Sequence, residues 1–108
     1  AMIQGLGLAL MEELPNADNG KILGDTFHEY LLPPSLDMPE LKAILVDNPA
    51  DGTPYGMRGV GEPPICATAA AIVNAINDAV GTPLFSIPVG PHHVREAMAK
   101  NGLATVSA

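Results

Sequence analysis

The helix that decides the fold is encoded in PPICATAAAIVNAINDAVG, residues 63–81. Pro63 and Pro64 suit a first helical turn, where a missing N–H costs no hydrogen bond, and Gly81 suits the position after the last turn. Between them, one stripe of apolar side chains recurs at helical spacing: Ile65, Ala69, Ile72, Val73, Ile76 and Val80. Residues 67–71 are small enough to let another backbone approach. The stretch therefore predicts a core helix.

A second helix and a short strand are predicted downstream of residue 81. Residues 84–87 are typical of a short strand. Residues 91–101 favour a helix, with Pro91 near its first position and Gly102 just past its end.

Upstream, residues 1–11 contain Gln4 as their single polar side chain, which predicts a helix buried on all sides. Residues 21–32 look extended, with a break at Gly24-Asp25, and residues 41–46 alternate imperfectly, as a strand covered on both faces does. We predict an α+β fold, a small mixed domain with short strands and two to three helices over residues 1–108. The apolar start indicates a fragment of a larger domain.

Composition restricts the partners of this chain of 108 residues. Charged residues make up 16% of it, against about 25% in soluble domains, so solvating surface is scarce. The net charge of −7 opposes binding to nucleic acid or anionic membrane. The single cysteine cannot form an internal disulfide, and no apolar run approaches the ~18 residues of a membrane span. We therefore expect a soluble, reduced, cytoplasmic setting.

The loop at residues 49–61 is rich in glycine and long enough to carry function. It ends in Gly59-Val60-Gly61-Glu62, directly before the predicted core helix. There a carboxylate can approach a bulky group without an intervening side chain, so we expect Glu62 on the wall of a concave surface. The alternative is that Glu62 is an acid favoured in a first helical turn.

Taken in order, the motifs resemble the carboxy-terminal part of the molybdopterin-binding large subunit of the xanthine dehydrogenase and aldehyde oxidase family. The segments that carry the resemblance are Gln4–Gly7, Asp37–Glu40, Gly59–Pro64, Asn74–Ala79 and Pro88–Met98. Each is weak alone, but their order along nearly the whole chain is specific. The family consists of molybdenum hydroxylases, which oxidise aldehydes, purines or related heterocycles.

The resemblance implies roles for individual residues. Glu62 matches the family's general base beside the molybdenum centre, and Gly59 and Gly61 match its cofactor-binding loop. Arg58 stands where relatives commonly carry lysine; it either orients Glu62, meets an anionic group, or is a solvated charge. Gln4 matches a glutamine near the cofactor, in a second layer at most, or is a buried hydrogen-bonded amide.

The resemblance also implies what this chain lacks. We expect molybdopterin to be bound in the complete enzyme and no cofactor to be bound by the isolated chain. We expect no residue of this chain to be a metal ligand. The expected partners are the missing N-terminal portion of the subunit and the iron–sulfur and flavin modules. Without them we expect the chain to be inactive and to self-associate through its first helix or its Ala-rich helix.

Two other classes of function stay open from the sequence. One is a noncatalytic structural or assembly module, or the remnant of a split or decayed gene. The other is an independent metal or redox protein, which the spacing of His28, His92 and His93 does not favour. Cys66 is expected to be a buried, inert thiol.

Overall fold

The computed structural model describes residues 1–102. Within them the chain forms three α-helices: α1, Met2–Leu10; α2, Ile65–Val80; and α3, Pro91–Lys100. Short 3₁₀ turns, Ser35–Asp37 and Pro54–Gly56, interrupt the long irregular connection between α1 and α2. The predicted domain also includes residues 103–108, which lie outside the described residues.

The sequence signals of α2 and α3 are confirmed. Pro64 precedes the first residue of α2, and Gly81 ends that helix at φ +70°, with its N–H donating to the Asn77 carbonyl at 2.8 Å. Pro91 opens α3, and Gly102 follows it at φ +67°. Both glycines adopt the left-handed conformation that other residues avoid.

The first helix crosses α2 at a very small separation. A Cβ atom placed on Gly5 would lie 2.5 Å from the Cβ atom of Thr68. The Thr68 hydroxyl turns away and donates to the Pro64 carbonyl at 2.6 Å. The predicted close approach of a backbone to the small-residue segment is therefore met by a glycine on α1.

A small core forms around α2, which packs against both α1 and α3. Ala9, Val80, Val89 and Ala97 are the buried apolar residues there, each at most 4% exposed. The Val89 N–H donates to the Ala9 carbonyl at 2.7 Å, and the Asn101 side chain donates to the Val80 carbonyl at 2.8 Å. The first bond joins the end of α1 to the segment that precedes α3, and the second joins the residue after α3 to the end of α2.

The mixed α+β expectation is not met, because residues 1–102 contain no strand beyond one isolated antiparallel bridge, Asn16–Ile22. At residues 84–87 the side chain of Asn77 binds both the N–H and the carbonyl of Leu84, which occupies the groups that a partner strand would use. The predicted break at Gly24 is present, at φ +79°, but the rest of residues 21–32 is not extended as predicted, because residues 26–30 form a turn. The regular secondary structure of the described chain is helical, and long irregular connections make up the rest.

The third predicted strand, residues 41–46, runs straight but unpaired. Its side chains, expected to be covered, are open: Ile44 is 74% exposed and Val46 is 83% exposed. No second strand exists in the described part to pair with it. The prediction of burial is wrong for this chain taken alone.

The chain is far more open than a compact domain. Its radius of gyration is 18.2 Å, whereas a compact chain of this length has about 13 Å. Its accessible surface is 8514 Å², against about 5,700 Å² for a compact protein of 11.2 kDa. The α1 helix, expected to be buried on all sides, is buried only at Gly5, Gly7 and Ala9. None of the described helices has the length and apolar character needed to cross a membrane.

Candidate functional site

The glycine-rich loop is shaped by its own hydrogen bonds. The Ala50 N–H donates to the Gly56 carbonyl at 3.1 Å, and the Thr53 hydroxyl lies 3.0 Å from the Ala50 carbonyl. Tyr55 adopts φ +57°, a left-handed conformation that costs a non-glycine residue energy, and its side chain is fully exposed. The loop thus turns sharply at residues 53–56 and then runs towards α2.

Glu62 stands at the junction of this loop with α2. It is exposed, and its carbonyl accepts a hydrogen bond from the Ile65 N–H at 3.0 Å. It lines an open depression of about 520 Å³ whose wall consists of residues 59–63, 65 and 66. Glu62 lines a depression beside the start of α2, as expected, but only residues 59–61 of the glycine-rich loop belong to its wall. The catalytic role of Glu62 stays a prediction.

Gly59 and Gly61 share this depression but do not have positive φ. A Cβ atom on either residue would meet no atom within 4 Å. Nothing within the described chain therefore requires glycine at these two positions. The open space leaves room for a group that approaches from outside the chain.

Arg58 and Gln4 lie apart from Glu62. Arg58 is exposed and lines a neighbouring depression, which shares Gly59 and Val60 with the first. Gln4 is exposed on α1 and lines neither depression. The expectation that Gln4 is a buried amide is wrong, because α1 buries only its small residues. The structure thus groups Glu62 with Gly59 and Gly61, places Arg58 beside them and leaves Gln4 outside.

Cys66 is exposed, and the expectation of a buried thiol is wrong. It lines the same depression as Glu62, four residues further along the chain, in the first turn of α2. Helical periodicity carries a signal for this position, since Cys66 points about 100° away from Ile65 of the apolar stripe. Cys66 is the residue of the depression that the sequence reasoning missed.

The three histidines do not form a cluster. His28 and His92 are exposed, while His93 Nδ1 accepts a hydrogen bond from the Gly90 N–H at 3.1 Å. The rings of His92 and His93 lie 3.8 Å apart, centre to centre, as chain neighbours. Over residues 1–102, no three His, Cys, Asp or Glu side chains are placed to hold a metal ion.

A polar pair fixes the end of α1 to the segment that follows. The Tyr30 hydroxyl donates to the Glu12 carboxylate at 2.8 Å. That hydrogen bond, burial and the negative charge of Glu12 together raise the pKa of Tyr30 above its ordinary value of 10.0. The pair is remote in sequence, and no local pattern predicts it.

Comparison with known proteins shows that part of the chain is similar to a known domain family. The sequence profile of a molybdopterin cofactor-binding domain family matches residues 1–39. This match covers α1 and stops before the glycine-rich loop, so it does not include Glu62.

Longer matches cover almost the whole chain. A probable xanthine dehydrogenase subunit of Bacillus subtilis is 38% identical over 98 residues, which are 91% of this chain and 13% of that protein. The putative xanthine dehydrogenase molybdenum-binding subunit of Escherichia coli is 34% identical over 94% of this chain and 14% of that protein. The crystal structure of quinoline 2-oxidoreductase from Pseudomonas putida 86 has a TM-score of 0.84 at 28% identity, covering 92% of this chain and 13% of that one.

These matches define the class of protein to which the chain is similar. It resembles part of the catalytic subunit of a molybdenum hydroxylase. The chain spans only 13–14% of the length of these three relatives.

Proposed function

We propose that residues 1–108 are the carboxy-terminal portion of a molybdenum hydroxylase catalytic subunit and that they supply one wall of its active site. The observation that carries the proposal is the match to quinoline 2-oxidoreductase, in which 92% of this chain corresponds to 13% of a longer chain at a TM-score of 0.84. The complete enzyme would hydroxylate aldehydes, purines or related heterocycles. Its other parts would be the N-terminal portion of the subunit and iron–sulfur and flavin modules.

The residues present fit a molybdopterin cofactor approaching from outside the chain. The open space at Gly59 and Gly61 would admit a bulky group against the backbone, and Glu62 stands exposed at its edge. Arg58 would meet an anionic group from the neighbouring depression, while Gln4 would act at most indirectly. Bound there, the cofactor would supply oxidative hydroxylation chemistry.

Glu62 would act as the general base. An exposed carboxylate at the edge of a depression accepts a proton through one of its Oε atoms once substrate and cofactor exclude water. Glu62 supplies the carboxylate of this depression, because the other lining residues carry none: Gly59, Val60, Gly61, Pro63, Ile65 and Cys66.

The open shape of the chain supports assembly with a larger polypeptide. Its surface exceeds that of a compact protein of the same mass by about 2,800 Å². A single wall offers too few convergent polar groups to hold a buried cofactor tightly. We therefore expect the isolated chain neither to bind molybdopterin tightly nor to oxidise aldehydes or purines.

Co-expression tests the proposal. The chain is produced together with the remainder of a related subunit, such as the Bacillus subtilis protein lacking the segment that this chain matches. Co-purification of the two polypeptides with molybdenum and hydroxylase turnover is the expected result. Co-purification without molybdenum or turnover would favour the noncatalytic assembly module, and failure to co-purify would contradict both functions. Hydroxylase activity from the homogeneous isolated chain would also contradict the proposal.

A further inference from the structure

The straight segment of residues 38–50 has no partner within the described chain. From Met38 to Ala50 there is no helix, turn or bend. Among residues 1–102, no hydrogen bond reaches the backbone of residues 38–49. Backbone N–H and carbonyl groups require partners once they are buried. A partner that buries this segment must therefore supply those hydrogen bonds.

The side chains of this segment suit an internal strand. In a strand, successive side chains point to opposite faces, so Ala43 and Leu45 share one face while Ile44 and Val46 share the other. Both faces are apolar over residues 43–46, which is typical of strands covered on both sides, and the charged residues Lys42 and Asp47 flank this stretch. Yet Leu45 is 72% exposed and Ile44 is 74% exposed. The apolar pattern of the segment therefore predicts burial that the chain alone does not provide. Burial in a sheet formed with another polypeptide would account for the pattern.

The segment runs between two open depressions. One, of about 470 Å³, is lined by residues 42–45 together with Val60 and Gly61; the other, of about 650 Å³, is lined by residues 44–49 together with Tyr55 and Arg58. Both therefore join the segment to the loop that leads to Glu62. Whatever pairs with the segment also borders that loop.

We infer that residues 41–47 become an internal β-strand by pairing, along both edges, with strands of the polypeptide that completes the catalytic subunit. This inference rests on the proposed function. Pairing would bury the apolar faces of the segment and would fix the loop at residues 58–61 that carries Glu62. The segment would thus be a positioning element for the site.

The polypeptide that completes the subunit fits this role better than a second copy of the chain. The quinoline oxidoreductase match contains this fold within a chain of which the matched part is 13%. The surplus surface of about 2,800 Å² exceeds the ~800 Å² per partner of an ordinary interface and matches a large obligate one.

Hydrogen exchange tests the inference on the isolated chain and on the co-expressed assembly. In the isolated chain we expect the amides of residues 42–47 to exchange freely while those of α2 are protected. In the assembly we expect exchange at residues 42–47 to slow by at least about 100-fold. Assembly without this protection would overturn the inference and leave the proposed function standing, whereas no assembly would overturn both. Concentration-dependent protection in the isolated chain would make a second copy the partner and overturn the inference.

Proline variants test the pairing along each edge, because the N–H groups of adjacent strand residues point to opposite edges. Ala43→Pro and Ile44→Pro each remove one N–H that has no backbone partner in the isolated chain, so the helical circular dichroism of that chain should not change. Each should weaken assembly by at least about tenfold. Ile44→Thr keeps both the N–H and the β-branch and is the matched control. If both proline variants assemble as tightly as Ile44→Thr, the inference is overturned. If only one proline variant assembles more weakly, pairing along both edges is overturned.

Discussion

Gly5 of α1 packs directly on Thr68 of α2, with 2.5 Å between the position of a Cβ on Gly5 and the Cβ of Thr68. Real side chains do not approach so closely, so only glycine on α1 permits this crossing. Gly5 is buried, and the Thr68 hydroxyl is held by the Pro64 carbonyl at 2.6 Å. The contact therefore sets the distance between the two helices and ties α1 to the first turn of α2, beside Glu62.

Gly5→Ala should destabilise the chain. Overpacking costs about 1–3 kcal/mol, and the better helix propensity of alanine returns about 0.5–1 kcal/mol, which leaves a net loss on the order of 1 kcal/mol. Thermal unfolding followed by helical circular dichroism measures this loss. Gly59→Ala is the control, because a Cβ there meets no atom within 4 Å and φ is not positive. Adding Thr68→Gly should recover part of the loss, and strict additivity of the two substitutions would contradict the close contact.

The elements predicted correctly from sequence are those whose signals are local. Pro91, Gly81 and Gly102 mark helix ends through the conformation of single residues, and α2 carries its stripe at helical spacing. Strands depend instead on partners that are distant in sequence. Residues 41–46 have the composition of a strand and no partner within the described chain. Their pattern describes an environment that this chain alone does not provide.

In the candidate site, too, features with local sequence signals were predicted and features that depend on distant contacts were not. The position of Glu62 follows from a local junction of loop and helix, and the structure places it on a depression. The exposure of Gln4 does not follow from the sequence, because an apolar neighbourhood in the sequence predicts burial. The exposure of Cys66 agrees with its position off the apolar stripe of α2, a signal that the apolar neighbourhood outweighed. Burial depends on how many neighbours pack against a helix, and α1 and α2 have few here. The hydrogen bond between Glu12 and Tyr30 joins residues 18 positions apart, and no short-range pattern encodes it.

Glu62→Gln should reduce turnover of the assembled enzyme by at least about 10²–10⁴-fold, because the amide cannot take up the proton that a general base removes. The substitution keeps the size of the side chain, so co-purification and molybdenum content should be unchanged. Steady-state turnover of the assembled variant measures the effect. Glu96→Gln, at an exposed position on α3, removes the same charge and should leave turnover unchanged. If the Glu62→Gln assembly turns over at close to the rate of the unmodified assembly, Glu62 is not the general base.

Glu12→Gln should bring the pKa of Tyr30 down towards its ordinary value of 10.0, because a neutral amide accepts a weaker hydrogen bond from the hydroxyl than the carboxylate does and carries no negative charge. In the unmodified chain the raised pKa means that folded Tyr30 keeps its proton to higher pH than unfolded Tyr30. The stabilisation is therefore complete below about pH 10 and is lost as pH rises through the folded pKa. The free energy of unfolding should fall over that alkaline range, and less steeply in Glu12→Gln.

Ultraviolet absorbance of tyrosinate measures this titration, and a Tyr55→Phe background leaves Tyr30 as the single tyrosine. Glu13→Gln removes a charge next in sequence, at an exposed side chain without a hydrogen bond to Tyr30 among those described. It should shift the titration much less than Glu12→Gln. Equal shifts in the two variants would show that the hydrogen bond does not set the pKa.

The isolated chain should self-associate through a groove between α1 and α2. The groove has a volume of about 520 Å³ and an apolar lining of Met2, Ile3, Leu6, Pro39, Leu41, Pro64, Ala67, Ala71 and Ile72, with Thr68 the polar member. Burial of this lining contributes about 25 cal/mol per Å². The net charge of −7 opposes association, but salt confines that repulsion to roughly 8 Å at physiological ionic strength. Burial should therefore dominate when the completing polypeptide is absent.

Sedimentation velocity over a concentration series measures this association, and two alanines of α2 separate the groove from the rest of the helix. Ala67 and Ala75 are both exposed, but only Ala67 lines the groove. Ala67→Glu would place a charge in the apolar contact and should shift the chain to monomer, because an unpaired charge is costly to bury. Ala75→Glu adds the same charge to the same helix and should leave association nearly unchanged. A single monomeric species at high micromolar concentration in the unmodified chain would contradict the prediction, and equal effects of the two variants would place the contact outside the groove.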